Sequence, residues 1–162
     1  MNNQINYQRN NYQRDNYQDS QQKKASQKFA DEKFFERVEN DFAQVAESVV
    51  LKLEKDKNGN IALNTNQIRN VLDLINGVSE KVTLHNGEDI SCFKNEILYI
   101  RVKLAYIYGK SKQSDGVKDF IDKSELIELL LCVGTSKQKY QIFAKYVEAL
   151  VAFHKYYGGK DD

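Results

Sequence analysis

Proline and tryptophan are absent from this chain of 162 residues, methionine occurs once and cysteine twice. A chain of average composition would carry on the order of eight prolines. Their absence removes the strongest helix breaker and favours long uninterrupted helices. Cys92 and Cys132 stand far apart, with no CxxC spacing and no histidine beside them. That excludes a disulfide framework or a zinc site as the organising principle. An excess of one charge is also lacking: 24 Lys+Arg face 23 Asp+Glu, a net of +1. Bulk charge alone therefore excludes strong sequence-independent binding to nucleic acid or an anionic membrane. The longest apolar runs, such as Leu129–Val133, are far too short to span a bilayer. The Asn/Gln-rich N-terminus has no apolar stretch of the secretory kind. These features point to a cytoplasmic protein without a membrane partner, long enough for one domain with a real core.

What is present divides in two. Residues 1–28 repeat a five-residue unit three times, Asn6-Tyr7-Gln8-Arg9, Asn11-Tyr12-Gln13-Arg14 and Asn16-Tyr17-Gln18-Asp19, followed by Gln21-Gln22-Lys23-Lys24. With almost no aliphatic residues, nothing offsets the entropy of ordering, so 1–28 reads as a disordered tail. The tail carries a net of +3 and leaves −2 for the rest. Its Tyr–Gln–Arg units could stack on unpaired bases or form an inert polar tract.

From Phe29 onward, residues 29–162 follow a helical period. Phe34, Phe35, Val38, Phe42, Val45, Val49 and Leu53 make a first stripe, which Lys57-Asn58-Gly59-Asn60 ends. Asn64 with Gln67 predicts a capping box for a second helix striped by Ile68, Val71, Leu72, Ile75, Val78 and Val82. A third helix is expected from about Asp89 to Tyr108, with Phe93, Ile97, Ile100, Leu104 and Tyr108 on one face. A fourth is expected over Val117–Val133, with Gly134 as its stop. Thr135 and Gln138 predict the cap of a fifth, which carries Ile142, Phe143, Tyr146, Val147, Leu150, Phe153 and Tyr157 and ends at Gly158-Gly159. No segment alternates with period two for long. The fold class expected is all-α: a compact bundle of about five helices behind the tail.

Catalysis requires groups that activate one another, and none assemble in the sequence. His85 reads as an exposed loop histidine, His154 as a core or interface histidine with one partner. Cys92 and Cys132 read as small buried hydrophobes. Glu125 and Glu128 lack further ligands for a metal and read as a solvated face. No catalytic residue, metal site or cofactor is expected.

Binding offers more. On the wheel of the third helix Arg101 falls with Ile100, Leu104 and Tyr108 within about 60° of Ile97. A guanidinium in an apolar stripe must pair or reach an anion. It is either an internal salt bridge or snorkelling arginine, or the rim of a phosphate-facing groove with Lys103, Lys110 and Lys112. Arg69 and Lys81 could extend that patch. Tyr99 and Tyr106, with Val102 between them, point away from Ile97, and the fifth helix is richer in aromatics than one stripe requires, with Tyr156 off its centre. Such second apolar faces belong to multi-sided core helices or to contacts with another chain.

The run Tyr146-Val147-Glu148-Ala149-Leu150-Val151-Ala152-Phe153-His154-Lys155-Tyr156-Tyr157-Gly158-Gly159-Lys160-Asp161 resembles the C-terminal signature of the small helical subunit of type III-A CRISPR effector (Csm) complexes. Leu63-Asn64-Thr65-Asn66-Gln67-Ile68-Arg69 and Arg101-Val102-Lys103-Leu104-Ala105-Tyr106-Ile107-Tyr108-Gly109-Lys110 are similar to two further segments of that family, and Asp119-Phe120 before an apolar helix is similar too. The tail has no counterpart in it. The resemblance implies a non-catalytic, all-helical protein. Several copies stack head to tail in the inner filament of a ribonucleoprotein, where guide RNA pairs with target RNA and other subunits carry the chemistry. Its partners would be guide and target RNA, the other subunits and further copies of itself, in antiviral defence. Basic residues in the matching motifs, Arg69, Arg101, Lys103 and Lys110, would touch the RNA backbone, joined by Lys112 and Lys155. His154, Tyr156 and Tyr157 would serve the contact between subunits. The alternative is a helical self-associating scaffold that meets only protein.

Overall fold

The computed structural model describes residues 32–112 and 116–159. The expected tail, 1–28, lies outside the described residues. Within them the chain is all-α, and its extended pairing is limited to two isolated bridges, Lys55–Ile61 and Asp89–Ser136. Helix α1 covers 32–51 and buries Phe35, Val38, Val45, Ala46, Val49 and Val50. A turn centred on Asp56–Gly59 follows, closed by Asp56 N–H donating to the Asn60 carbonyl at 2.7 Å.

Helix α2, Thr65–Leu84, begins as the sequence predicts. Asn64 Oδ1 accepts from Gln67 N–H at 2.8 Å and Gln67 Oε1 accepts from Asn64 N–H at 2.9 Å. This reciprocal pairing satisfies two of the donors that a helix start leaves open. Ile68, Val71, Ile75, Val78 and Val82 are its buried stripe. A 3₁₀ turn, Ser91–Phe93, leads into α3, Lys94–Lys110, which buries only Ile97, Ile100 and Leu104.

The helix expected over 117–133 is two: α4, Val117–Ser124, and α5, Leu126–Val133. Between them Glu125 takes φ 50°, the one positive φ of a non-glycine among the described residues. The cause lies in Ser124. Its hydroxyl bonds back to the Phe120 carbonyl at 2.6 Å, and its own carbonyl accepts from the buried Tyr146 hydroxyl at 3.2 Å. A left-handed residue costs roughly 1–2 kcal/mol. The bend lets Phe120 and Ile121 on one side and Leu126, Leu129 and Leu130 on the other all face the core.

Helix α6, Lys137–Tyr156, is the central element and packs against α2 and α5. Its cap is Ser136, whose Oγ accepts from Lys139 N–H at 3.3 Å. This is one residue later than the expected Thr135, because the Thr135 carbonyl is held by Ile90 N–H at 2.8 Å. Tyr140, Phe143, Tyr146, Val147, Leu150 and His154 are buried. The Tyr140 hydroxyl donates to the Ile75 carbonyl at 2.8 Å, so the largest polar side chain of the α2–α6 contact is satisfied.

Gly116 opens α4 with φ 71°, and a Cβ there would lie 2.5 Å from the backbone nitrogen of Leu63. Both the dihedral and the contact require glycine. Gly116→Ala should lower unfolding free energy by at least about 2 kcal/mol, measured by urea denaturation followed by circular dichroism.

Candidate nucleic-acid interface

The basic residues picked out in the sequence do not form one patch. Helices α2 and α3 run antiparallel: Lys81, late in α2, lies 4.0 Å from Glu96, early in α3. Leu74, Gly77 and Val78 of α2 face Tyr99, Ile100 and Lys103 across a groove. On the other flank of α2, Ser79 and Thr83 face Tyr140 and Ala144 of α6. Arg69 stands two heptads before Thr83 and shares that second flank. The bundle therefore separates Arg69 from the cations of α3. Lys155 belongs to the last turn of α6, and Lys112 follows the C-terminal end of α3.

Arg101 corrects an expectation. It is exposed, and it forms no ion pair among the described residues. The buried face of α3 is centred between Ile100 and Leu104, with Ile107 half-buried beside them. That centre is turned away from Arg101 toward Glu96 and Ile107, so the side chain clears the core and needs no internal partner.

The rotation exposes the opposite face of α3. Leu98, Tyr99, Val102 and Tyr106 are 44%, 57%, 60% and 63% exposed. Two of these rings carry a cation one turn later: Lys103 Nζ lies 5.1 Å from the Tyr99 centroid and Lys110 Nζ 5.6 Å from that of Tyr106. Lys94, Arg101, Lys103 and Lys110 stand on this helix against the single acid Glu96, and Glu96 already faces Lys81. The result is a ribbon of aromatic faces with positive charge along it, chemistry suited to a strand with bases and phosphates. Leu98 and Gly77 were not singled out in the sequence. One more apolar residue, or a glycine, in a half-buried helix gives little signal.

The C-terminal trio separates as well. His154 is fully buried, not at a surface between subunits. Its Nε2–H donates to the Leu63 carbonyl at 2.8 Å, while Nδ1 is buried without a hydrogen-bond partner. Gly159 closes against the ring, and its N–H bonds to the His154 carbonyl at 2.8 Å. Burial holds the His154 pKa below its usual value, and the nearby Lys155 charge acts in the same direction. Tyr157 is tied to its own chain by a hydrogen bond to Glu47 and by stacking on Phe153. Tyr156, 78% exposed, is the member that faces outward.

The remaining candidates stay structural. His85 Nε2 lies 3.1 Å from the Asp89 carbonyl, and its ring meets the edge of Phe93. Cys92 is exposed and Cys132 half-buried, contrary to the expectation that both are buried. Ile90 and Ile97 fill the core on either side of the 3₁₀ turn and leave Cys92 outward. Among the described residues no three His, Cys, Asp or Glu gather where a metal ion could sit. No described helix is long and apolar enough to cross a membrane.

Residues 36–160 match the family model described as Csm2 Type III-A. The chain belongs to this family. It is 34% identical over 123 residues to the CRISPR system Cms protein Csm2 of Streptococcus thermophilus, covering 76% of this chain and 96% of the relative. It is 32% identical over 125 residues to the protein of the same name from Mycobacterium tuberculosis (strain CDC 1551 / Oshkosh), covering 76% and 97%. The Csm2 of Enterococcus italicus is 37% identical over 101 residues, covering 59% and 68%. The resemblance drawn from the short motifs thus holds across the helical body.

The buried histidine gives a sign for pH dependence. A group whose folded pKa is depressed binds its proton more readily in the unfolded chain. Its contribution is complete above the unfolded pKa of 6.5 and is lost as pH falls toward the folded value. The thermal midpoint should fall on acidification from neutrality through this window. His154→Gln, whose amide can still donate to the Leu63 carbonyl, should flatten that fall relative to wild type in parallel melts.

Proposed function

We propose that this chain is a non-catalytic small subunit of a type III-A CRISPR ribonucleoprotein in the cytoplasm. In this role it stacks with copies of itself along an inner filament, beside other subunits, and touches the backbone of paired guide and target RNA. The observation that carries the proposal is the outward face of α3, where exposed Tyr99, Val102 and Tyr106 are flanked by Lys103 and Lys110 on one side and by Arg101 on the other. Family membership supports the assembly. A near-neutral body is compatible with it, because base pairing reads the sequence and the protein needs only shape and backbone contacts. Stacked copies then supply by avidity what one copy lacks. Lys112 lies two residues past the end of α3 and extends the same contact. Arg69 and Lys155, on other flanks, serve a neighbouring stretch of RNA or a neighbouring subunit. Tyr156 is the side chain offered to a copy or a partner subunit, with Tyr157 beneath it at 4.9 Å between centroids.

A scaffold that meets only protein is the second reading. It is favoured by the apolar members of the same face, Leu98 and Val102. Charge separates the two. Arg101→Glu combined with Lys110→Glu alters two exposed side chains and should leave the helical circular dichroism unchanged. In anisotropy titrations with single-stranded RNA, affinity should fall and the slope of log K against log salt should shrink by roughly 1.4. Unchanged affinity and slope would remove α3 from RNA contact and favour the scaffold.

A further inference from the structure

The bend between α4 and α5 is the strained point of the described backbone. Glu125 holds φ 50° and ψ 31°, a conformation that glycine takes freely and that a residue with a Cβ resists. The local sequence favours the opposite. Residues 117–133 contain neither glycine nor proline, and their Leu, Glu and Lys are good helix formers. The break is imposed by the core. The Tyr146 hydroxyl, from α6, donates to the Ser124 carbonyl at 3.2 Å, and α4 and α5 each bury an apolar face. A local preference overruled by tertiary contacts is a point of stored conflict in the fold.

The two apolar faces say what a straightened hinge would meet. On one continuous helix, at about 100° per residue, Val117, Phe120 and Ile121 would point about 180° away from Leu126, Leu129, Leu130 and Val133. One bundle cannot cover both faces, and the left-handed residue is what turns them toward a single core. Two bundles can cover both. A straight helix running between two copies gives its α4 face to one core and its α5 face to the other. The core that fits the departing α5 and α6 is the one that a second copy vacates when its own pair leaves. We propose that Glu125 is a hinge through which two copies of this chain exchange α5 and α6, each straightening 117–133 into one helix. The exchange keeps the packing of α6 on α2 and of α5 on α3, now between copies, and removes the left-handed residue from both chains. A short connection under strain favours such an exchange. Association entropy opposes it, so the exchanged form grows with concentration. It differs from the stacking of copies through their surfaces and does not depend on RNA contact.

The test mixes full-length protein of natural isotope content with an equal amount labelled with heavy nitrogen. The mixture is concentrated, warmed to the foot of its thermal transition and cooled, and size exclusion with light scattering separates dimer from monomer. An amine-reactive cross-linker and mass spectrometry then report which chains are joined. Lys52 and Lys123 lie on the same side of the hinge, with the Lys123 ammonium donating to the Lys52 carbonyl at 2.7 Å. Their cross-link should stay within one isotope. Lys81 and Lys137 lie on opposite sides of it, with Lys137 reaching the Thr83 and His85 carbonyls at 3.2 and 2.6 Å. Their cross-link in the dimer should join the two isotopes. Glu125→Gly, which fits the left-handed conformation, should raise the dimer dissociation constant by at least about tenfold. Tyr146→Phe keeps the ring but drops the bond that holds the bend, and should lower that constant by roughly tenfold. A dimer whose Lys81–Lys137 cross-links stay within one isotope is a surface dimer and overturns the hinge. So does a dimer that Glu125→Gly leaves unchanged, or the absence of any dimer in both wild type and Tyr146→Phe.

Discussion

The hydrogen bond from His154 Nε2–H to the Leu63 carbonyl closes the fold. Leu63 is the junction of three distant segments. Its carbonyl receives the last turns of α6, its backbone nitrogen is packed by Gly116 at the start of α4, and it leads directly into the capping box of α2. Gly159 lies against the imidazole and completes the enclosure. A neutral ring is required there, because a buried charge beside Lys155 with no acid partner would be costly. The antiparallel register of α2 and α6, continued by Tyr140 to Ile75, follows from this one fixed end.

With α2, α5 and α6 filling the interior, α3 has only one flank to give to the core. Ile97, Ile100 and Leu104 occupy that flank, and the remainder of the helix is left to solvent. Single exposed hydrophobics are ordinary, but Leu98, Tyr99, Val102 and Tyr106 share one helix face. A face of this kind is normally a contact surface. Lysines over the two tyrosines moderate its exposure, each cation–π contact at the surface contributing about 0.5–1 kcal/mol. The same pairs present a ring and a cation side by side.

Much of this fold was legible in the sequence, because helical periodicity and capping are local. The stripe of α2 and its Asn64–Gln67 box needed no tertiary knowledge. The break at Glu125 was not legible: it depends on Tyr146 taking the Ser124 carbonyl, a contact 22 residues away in sequence. The apparent burial of Arg101 came from centring the wheel on Ile97, where the structure centres the buried face nearer Ile100 and Leu104. Which flank faces inward is decided by neighbouring helices. The same limit applies to the site. Composition identified cations, but only the antiparallel pairing of α2 with α3 distinguishes Lys103, beside the groove, from Arg69, behind it. Cys92 departs from its reading for the same reason, its thiol left exposed, whereas His154 is the core histidine with one partner that the sequence allowed.

Near-neutral charge and a localised basic ribbon are consistent with one another on the proposed function. A subunit repeated along a strand cannot hold tightly at each copy without making the assembly unable to release or re-register its target. Few contacts per copy, multiplied by the number of copies, give strength that depends on the assembly being complete. The outward ring of Tyr156, at the far end of α6, is left for protein neighbours.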